Sequence, residues 1–428
     1  MVIGLMFLVL FGLITIGAPI LIALGVSGFV HYLDTGRETV LIILAQQIYA
    51  RASSYPFLAI PLFLLAGNIM TKGGITDKLI TLARVLIGHF TGGLAQINIL
   101  ASVFFASISG SAFADVAAIG SLLIPAMKKE KYPLGFAGAL TAASATLSPL
   151  IPPSIVLIVY GSVFEVSIGA LFAAGLGIGV IYAVALMVIT YFISKKYDVP
   201  QYKKASSKEV WDSFRTSIIP LIMPIIVLGG ILSGLFTATE AASVAVAYGL
   251  LITMFFYRSI KLKDLYGILL HTAYTASAIV LLVAASSSFA YVIVRRNVAH
   301  IVMTALLELT ESPFVIMMVI VVVLLIAGMF IGRNANILLF GPIIVPIMHE
   351  LGYGPIQTAM IIVMTLGVGH ITPPVGGTLL TTMLIGDISM PDIMRYMWPY
   401  ILVTIFTCIL IILIPFLSEG VPRLFGLI

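Results

Sequence analysis

The residues that could do chemistry lie in four short interruptions of an otherwise apolar sequence. Residues 107–115 read Ser-Ile-Ser-Gly-Ser-Ala-Phe-Ala-Asp, and residues 328–336 read Gly-Met-Phe-Ile-Gly-Arg-Asn-Ala-Asn. A second interruption, rich in proline, follows each of them, at residues 148–153 and 369–374. These interruptions contain hydroxyls, amides, a single guanidinium and carbonyls freed by proline. Such groups suit the binding of a cation and of a polar anion.

The four interruptions belong to an internal repeat. Pro125 pairs with Pro346, an offset of 346 − 125 = 221, and the same offset pairs residues 152–153 with 373–374, all four of which are proline. Each copy therefore breaks its helices twice. Paired discontinuous helices in two halves related by a pseudo-two-fold axis in the membrane plane are typical of secondary transporters, whose binding site lies at the breaks.

Composition places these breaks inside a membrane. Charged residues make up 9% of the 428 residues and hydrophobic residues 61%, with a mean hydropathy of +1.19. Because lipid offers no hydrogen-bond partner to the backbone, long apolar runs without strand-like alternation must be helices. The sequence predicts an all-α polytopic membrane protein with inverted repeats, two re-entrant helical hairpins and two broken helices.

The repeats set the predicted domains. The first repeat covers residues 1–193, with a hairpin at about 85–127 and a broken helix at 133–160. A polar linker follows at 194–216, and its lysines predict a cytoplasmic position. The second repeat covers 217–428, with a hairpin at about 313–348 and a broken helix at 355–386. The remaining spans are expected to form a scaffold.

Two equivalent cation sites are predicted, one in each repeat. A helix that ends inside the membrane exposes unpaired carbonyls at its C-terminus, and carbonyls with hydroxyls suit a hard monovalent cation such as Na⁺. No other cofactor is expected. The predicted ligands of the first site are Ser107, Ser109, Gly110, Ser144, Leu147 and Pro149, and those of the second are Gly328, Gly332, Thr365, Val368 and His370.

Arg333 is the main candidate for substrate binding. A charge between two strongly apolar runs is costly unless it has a partner, and a guanidinium binds a carboxylate with two hydrogen bonds. The alternatives are an ion pair within the protein or extension of the side chain to the membrane surface. Asp115 could bind substrate hydroxyls, balance a cation or cap a short helix. The other predicted substrate contacts are Asn334, Asn336, Ser111, Ser148, Pro152, Thr372 and Pro373.

Enzyme motifs are absent from the sequence. There is no Gly-x-Ser-x-Gly elbow, no phosphate-binding glycine loop before a Lys-Ser/Thr pair, and no second histidine after His349-Glu350 to complete a zinc-protease helix. The sequence therefore predicts a transporter and no enzyme. An intramembrane hydrolase that uses Ser and Asp is the alternative outside transport.

Taken in order, the motifs at 109–115, 149–154 and 369–376 resemble the large membrane (M) subunit of tripartite ATP-independent periplasmic (TRAP) transporters, over essentially the whole chain. The resemblance implies an elevator-type secondary transporter driven by Na⁺ in the bacterial inner membrane. It also implies a small four-helix membrane subunit, expected here as a separate polypeptide, and a soluble periplasmic binding protein that delivers an organic acid. The family's cation sites fall on the two sets of residues given above.

The resemblance also bears on the substrate. Dicarboxylate members commonly carry an acidic residue followed by Thr or Ser near the position of Gly332-Arg333-Asn334, whereas this chain has none there. It is more similar to the sialic acid (N-acetylneuraminate) branch, so sialic acid is the expected substrate. The alternative within transport is a stand-alone Na⁺/dicarboxylate or citrate symporter.

Overall fold

A computed structural model describes residues 2–196, 199 and 201–428, apart from the side chain of Asp34. The chain is 82% helical, and the residues described contain no strand. It is an all-α polytopic membrane protein. Residues 197, 198 and 200 of the predicted linker lie outside the described residues.

Eleven helices precede the linker in the described residues. They are α1 (Val2–Thr15), α2 (Ile20–Thr35), α3 (Glu38–Ala52), α4 (Ala59–Lys72), α5 (Ile75–Ile87), α6 (Gly93–Ser109), α7 (Ala112–Asp115), α8 (Ser121–Lys129), α9 (Leu134–Ser144), α10 (Ile155–Phe164) and α11 (Ile168–Lys195). A π-helical turn, Val116–Gly120, joins α7 to α8, and 3-10 turns at Tyr55–Leu58 and Ala145–Leu147 precede α4 and extend α9.

Ten helices follow the linker in the described residues. They are α12 (Ser207–Leu232), α13 (Ala238–Leu250), α14 (Leu262–Arg295), α15 (Val298–Leu309), α16 (Pro313–Phe330), α17 (Arg333–Glu350), α18 (Pro355–His370), α19 (Gly377–Gly386), α20 (Met390–Leu413) and α21 (Phe416–Leu424). A π-helical stretch, Leu251–Phe256, extends α13. Within the described ranges, seven helical segments are long and apolar enough to cross a membrane: Tyr55–Lys72, α11, α12, the extended α13, α14, α16 and α20.

Helix α12 starts inside the stretch predicted to be linker. The Ser206 side chain accepts a hydrogen bond from the Glu209 amide, and the Glu209 carboxylate accepts one from the Ser206 amide at 2.7 Å. This capping box satisfies two backbone donors and fixes the helix start at Ser207. The polar linker is therefore shorter than the predicted 194–216. The predicted range is too long because the Ser206 and Glu209 capping residues lie among other charged and polar residues.

Each repeat contains a hairpin and a broken helix. The first hairpin consists of α6 and the arm α7–α8, which meet at Gly110 and Ser111; it begins at Gly93, because α5 is a separate helix before it. The second consists of α16 and α17, which meet at Ile331 and Gly332. The broken helices are α9 with α10 and α18 with α19, and each break contains a cis bond between its paired prolines.

The helices form two packed groups. Helices α1–α5 and α12–α14 pack mainly on one another, and we call them the scaffold together with α15, which lies between α14 and α17. The hairpins, the broken helices, α11, α20 and α21 form the second group, the hairpin group. The sequence placed α11 and α20 in the scaffold, which is wrong. The hydroxyl of Tyr182 on α11 bonds Thr146 at 2.9 Å and Thr404 of α20 at 2.8 Å, and so ties both helices to the first break.

Small residues allow close packing within the scaffold. A Cβ added to Gly28 of α2 would lie 2.5 Å from Oγ and 2.7 Å from the backbone carbon of Ser288 of α14. The Ser288 hydroxyl also donates to the carbonyl of Gly25 at 3.3 Å. Close backbone approach through small residues replaces the hydrophobic effect as the source of helix association in lipid.

The substitution Gly28→Val should push α2 away from α14 and lower the free energy of unfolding in detergent by about 1–3 kcal/mol. Gly4→Val is the matched control, because a Cβ at Gly4 would meet nothing within 4 Å. Equal unfolding free energies for the two variants would show that the α2–α14 contact does not stabilise the scaffold.

Candidate functional site

Arg333 lies at the tip of the second hairpin and is buried. It is the first residue of α17, directly after Gly332, and 5% of the residue is exposed. Its Nε and Nη2 atoms have no hydrogen-bond partner, and no carboxylate pairs with it in the described part of the chain. The alternatives of an internal ion pair and of extension to the membrane surface are therefore wrong. A buried guanidinium with free donors calls for an anion.

The two asparagines beside Arg333 have different surroundings. Asn334 lies beside Arg333 in the wall of a cavity, and its Oδ1 is buried without a partner. Asn336 is fully buried outside that wall, and its Nδ2 donates to the carbonyl of Ile331 at 2.7 Å. That bond satisfies a carbonyl beyond the end of α16, so Asn336 shapes the tip and makes no cavity contact.

The cavity beside Arg333 joins the two repeats. Its volume is about 490 Å³. Residues from both hairpin tips and both breaks line it, and these are Gly110, Ser111 and Pro149 from the first repeat and Gly332, Arg333, Asn334 and His370 from the second. Scaffold residues complete the wall, including Pro19, Leu64, Thr275 and Ile279. Residues more than 200 positions apart in sequence therefore share one concave site.

The first set of predicted cation ligands divides into free and engaged groups. Ser109 is 7% exposed, and its hydroxyl has only contacts of 3.3 and 3.5 Å with the Ser111 backbone. Ser144 is already hydrogen-bonded. Its hydroxyl oxygen lies 3.0 Å from Asn98 Oδ1 and 3.1 Å from the Thr141 carbonyl oxygen, and it donates its hydrogen to these acceptors.

Three other members of this set already have partners. The Ser107 hydroxyl donates to the Phe104 carbonyl at 2.7 Å, and the Pro149 carbonyl accepts from Ser154 at 2.6 Å. The Leu147 carbonyl accepts two amide hydrogen bonds of 2.9 Å, so it is the least available oxygen of the set. The Ser109 hydroxyl and the last carbonyls of α6 remain as the oxygens that are free to bind a cation.

The second set contains similar oxygens. Thr365 is fully buried, with its hydroxyl 3.3 Å from the sulfur of Cys408, which is itself packed at 2% exposure. The Thr372 hydroxyl donates to the Val368 carbonyl at 2.6 Å, and the His370 carbonyl accepts from Thr378 at 2.8 Å. The His370 carbonyl retains a second lone pair for a cation, whereas the Val368 carbonyl also accepts the Ile371 amide at 3.2 Å and is less available.

Glycines bring each hairpin tip against the break of the same repeat. Gly110 has φ +61°, and a Cβ added there would lie 2.1 Å from the Pro153 carbonyl oxygen. A Cβ added to Gly369 would lie 2.6 Å from the Gly328 backbone. Both contacts are backbone on backbone, which only glycine permits. They place the end of α6 beside the first break and the end of α16 beside the second.

Besides Asn336, five predicted substrate contacts lie outside the wall of this cavity. They are Asp115, Ser148, Pro152, Thr372 and Pro373. Asp115 is 1% exposed, and neither of its carboxylate oxygens has a hydrogen bond of normal geometry to a described residue. Ser102 and Ser148 are the polar side chains beside it. Ser111, not Asp115, caps α7, since its hydroxyl accepts from the Ala114 amide at 3.4 Å.

Sequence reasoning missed an aromatic contact across the repeats. The Phe113 ring of the first hairpin lies edge-on to the His370 ring of the second break, with centroids 6.3 Å apart, and both residues line the cavity. His370 thus contributes its ring as well as its backbone. The sequence does not mark Phe113 as a site residue, because a single aromatic residue in an apolar run is usual for a membrane helix.

The arrangement suits ligand binding rather than bond cleavage. It offers one guanidinium, an amide, a hydroxyl and two sets of neutral oxygens around or beside one cavity. Neutral oxygens hold a monovalent cation, and the guanidinium together with a cation attracts a carboxylate. The donor sets present therefore fit Na⁺ in both repeats and an organic anion between them.

Comparison with known proteins places the chain in one family. Residues 7–417 match the model of the DctM component of tripartite ATP-independent periplasmic transporters. The sialic acid TRAP transporter large permease protein SiaM of Vibrio cholerae is 35% identical over 414 residues, with 97% of each chain covered. The C4-dicarboxylate TRAP transporter large permease protein DctM of Pseudomonas aeruginosa is 37% identical over 405 residues, with 95% of each covered.

A solved structure shares the fold. The Alcanivorax borkumensis YdaH transporter, described as having an unusual topology, superposes with a TM-score of 0.61 at 15% identity. The match covers 90% of this chain and 88% of that one.

The substitution Gly110→Ala should separate the first hairpin tip from the break and lower the free energy of unfolding by about 1–3 kcal/mol, because alanine is strained in a left-handed conformation. If Na⁺ binds at this contact, the wild-type chain should be more stable in Na⁺ than in K⁺, and the substitution should remove that difference. Gly229→Ala, in the scaffold helix α12, is the control, since its Cβ would meet nothing within 4 Å. Equal stability and equal Na⁺ response in both variants would contradict this packing.

Proposed function

This chain belongs to the DctM family of TRAP transporter large permease proteins, and we propose that it imports sialic acid together with Na⁺ across the bacterial inner membrane. The observation that carries the proposal is the buried Arg333, which lacks an internal carboxylate partner among the described residues and faces a cavity shared by both repeats. The coarser function, transport of organic acids as a large permease, comes with the family.

The carboxylate of the substrate would bind Arg333. The fork of the guanidinium matches a carboxylate, and burial strengthens the pairing because water competes less. Asn334 and Ser111 line the same cavity and offer polar groups to hydroxyl or amide substituents. A cavity of about 490 Å³ falls in the range of small-molecule sites. The sequence Gly332-Arg333-Asn334, without the acidic residue that dicarboxylate members commonly carry near this position, supports sialic acid over a C4-dicarboxylate.

Na⁺ would act by organising the same cavity. The oxygens of the first set, above all Ser109 and the end of α6, would hold one ion, and those of the second set, above all Gly328, Thr365 and His370, would hold another. A bound ion joins a hairpin tip to its break and satisfies carbonyls that have no partner in lipid. Both ions would then fix the walls on either side of Arg333 and pre-form the substrate site.

Alternating access would follow an elevator mechanism. The hairpin group carries both breaks and the wall that contains Arg333, whereas the scaffold contributes only apolar residues and Thr275 to the named part of the wall. The apolar segment 337–345 of the second hairpin, which lies on α17 against α14 and α15, would slide past the scaffold. The segment 116–124 of the first hairpin instead packs mainly on α9 and α19 within the hairpin group. Movement of a preformed site as one body keeps its ligands together during transport.

Two partners complete the proposed system. A small four-helix membrane subunit, as a separate chain, would pack on the scaffold, and a soluble periplasmic protein would deliver the acid. The rival within transport, a stand-alone symporter, differs in needing neither partner.

Uptake by proteoliposomes tests the proposal. Vesicles that contain this chain and its small subunit, with binding protein outside, should accumulate sialic acid only when Na⁺ is higher outside. Uptake of a C4-dicarboxylate instead would keep the mechanism and reject the substrate. Uptake without either partner would establish the stand-alone symporter. Turnover of a substrate without a sealed membrane would establish an enzyme.

The substitution Arg333→Ala should reduce uptake about a hundredfold or more, because it removes the sole buried cation of the site described. Its melting temperature without substrate should equal or exceed that of the wild type, since an uncompensated buried charge is lost. Arg37→Ala, at an exposed position, is the control. Normal uptake by the Arg333 variant would remove this residue from the substrate site.

The substitution Ser109→Ala should raise the Na⁺ concentration for half-maximal uptake about tenfold, as expected for one lost ligand worth about 1.4 kcal/mol. Ser121→Ala removes an exposed hydroxyl from the same hairpin and should have no effect. Uptake is measured against Na⁺ at constant ionic strength. An unchanged Na⁺ dependence in the Ser109 variant would place the cation elsewhere.

A further inference from the structure

The substrate cavity continues along the scaffold as two further cavities. A cavity of about 270 Å³ shares Leu64, Ser111, Phe113 and Thr275 with the substrate cavity. A third, of about 780 Å³, shares Asn68, Thr71 and His271 with the second. The three cavities therefore adjoin one another in a row from Arg333, which we call the passage, with α4 and α14 on one side and the first hairpin tip beside its middle part.

Polar side chains line the passage on the scaffold side. The Asn68 amide donates to the hydroxyl of Thr272 at 2.9 Å, and this pair joins α4 to α14. Thr71, His271 and Thr275 lie along the same passage. Polar groups on helices that are otherwise apolar are expected at a water-filled path rather than at a lipid-facing surface.

Two lysines stand at the open end of the passage. Lys72 ends α4 and Lys263 lies in the first turn of α14, and both are exposed and line the third cavity. Asp264 lines it too, with its carboxylate held by the Lys261 amide at 2.9 Å, so two lysines less one aspartate leave a formal charge of +1. Within the described residues, neither lysine has a salt bridge.

We infer that Lys72 and Lys263, with the Asn68–His271 segment of the passage, form a second anion subsite that receives the carboxylate of the substrate after it leaves Arg333. This inference rests on the proposed function. The subsite belongs to the scaffold, so it stays in place while the hairpin group moves. Its lysines are exposed to water, which keeps carboxylate binding weak and lets the acid leave. The positive-inside rule puts this basic end in the cytoplasm.

Thiol labelling can test the subsite without relying on transport. Cys408 is the only cysteine and is 2% exposed, so the wild-type chain gives a low background. The variant Thr275→Cys places a thiol where the first two cavities meet. In inside-out vesicles it should react with membrane-impermeant thiosulfonates. Leu270→Cys, on an exposed apolar position of the same helix, should not.

The charge of the reagent tests the lysines. In the Thr275→Cys variant, labelling by a sulfonate-bearing reagent, relative to a trimethylammonium-bearing one, should fall about tenfold when Lys72→Gln and Lys263→Gln are added. The pair Lys195→Gln and Lys196→Gln removes the same charge from exposed positions outside the cavities described and should leave the ratio unchanged.

Three outcomes would overturn the inference: no labelling of the introduced thiol, a ratio unaffected by the lysine substitutions, or an equal fall in the Lys195/Lys196 control. Sialic acid uptake by the wild type is measured in parallel. If uptake fails while the labelling ratio depends on Lys72 and Lys263, the proposed function is wrong and the anion subsite stands. If uptake succeeds and the ratio is unaffected, only the subsite is wrong.

Discussion

Everything in this fold follows from the need to satisfy polar backbone groups at four places where helices end inside an apolar environment. A helix that stops leaves carbonyls or amides without partners, and lipid supplies none. Side chains of the protein satisfy some of these groups. Asn336 Nδ2, for example, donates a hydrogen bond to the Ile331 carbonyl at 2.7 Å. What remains open is concentrated around Arg333, whose Nε and Nη2 have no described partner. In our account these groups are left open because cations and a carboxylate complete them.

The repeat explains why the open groups meet in one place. Each hairpin tip is held to its own break by a backbone contact at a glycine, Gly110 with Pro153 and Gly369 with Gly328. The two units then face one cavity, in which the Phe113 ring touches the His370 ring. Buried hydrogen bonds such as those of Tyr182 to both Thr146 and Thr404 hold α11 and α20 to these units. A hairpin group whose helices pack chiefly on one another, beside a scaffold, is the arrangement that the proposed displacement of a whole site requires.

Sequence alone predicted the helical class, the repeat and the position of the breaks, because glycine and proline act locally and apolar runs identify membrane helices. It also predicted that Arg333 would be buried at a break. It could not tell that Asn336 would bond its own tip or that the Leu147 carbonyl would accept two amides, since both depend on tertiary geometry. The packing partners of α11 and α20 could not be predicted either, because hydropathy indicates that a helix lies in a membrane but not which helices it contacts.

The central claim is that cations and the acid complete one shared site, and linkage between their affinities tests it most directly. Calorimetric titration of the purified chain with its small subunit would give the affinity for sialic acid at several Na⁺ concentrations, and the affinity for Na⁺ with and without the acid. Na⁺ should strengthen acid binding, and the acid should strengthen Na⁺ binding by the same factor, as reciprocity requires. Acid binding of the same strength in Na⁺ and in K⁺ would contradict this claim.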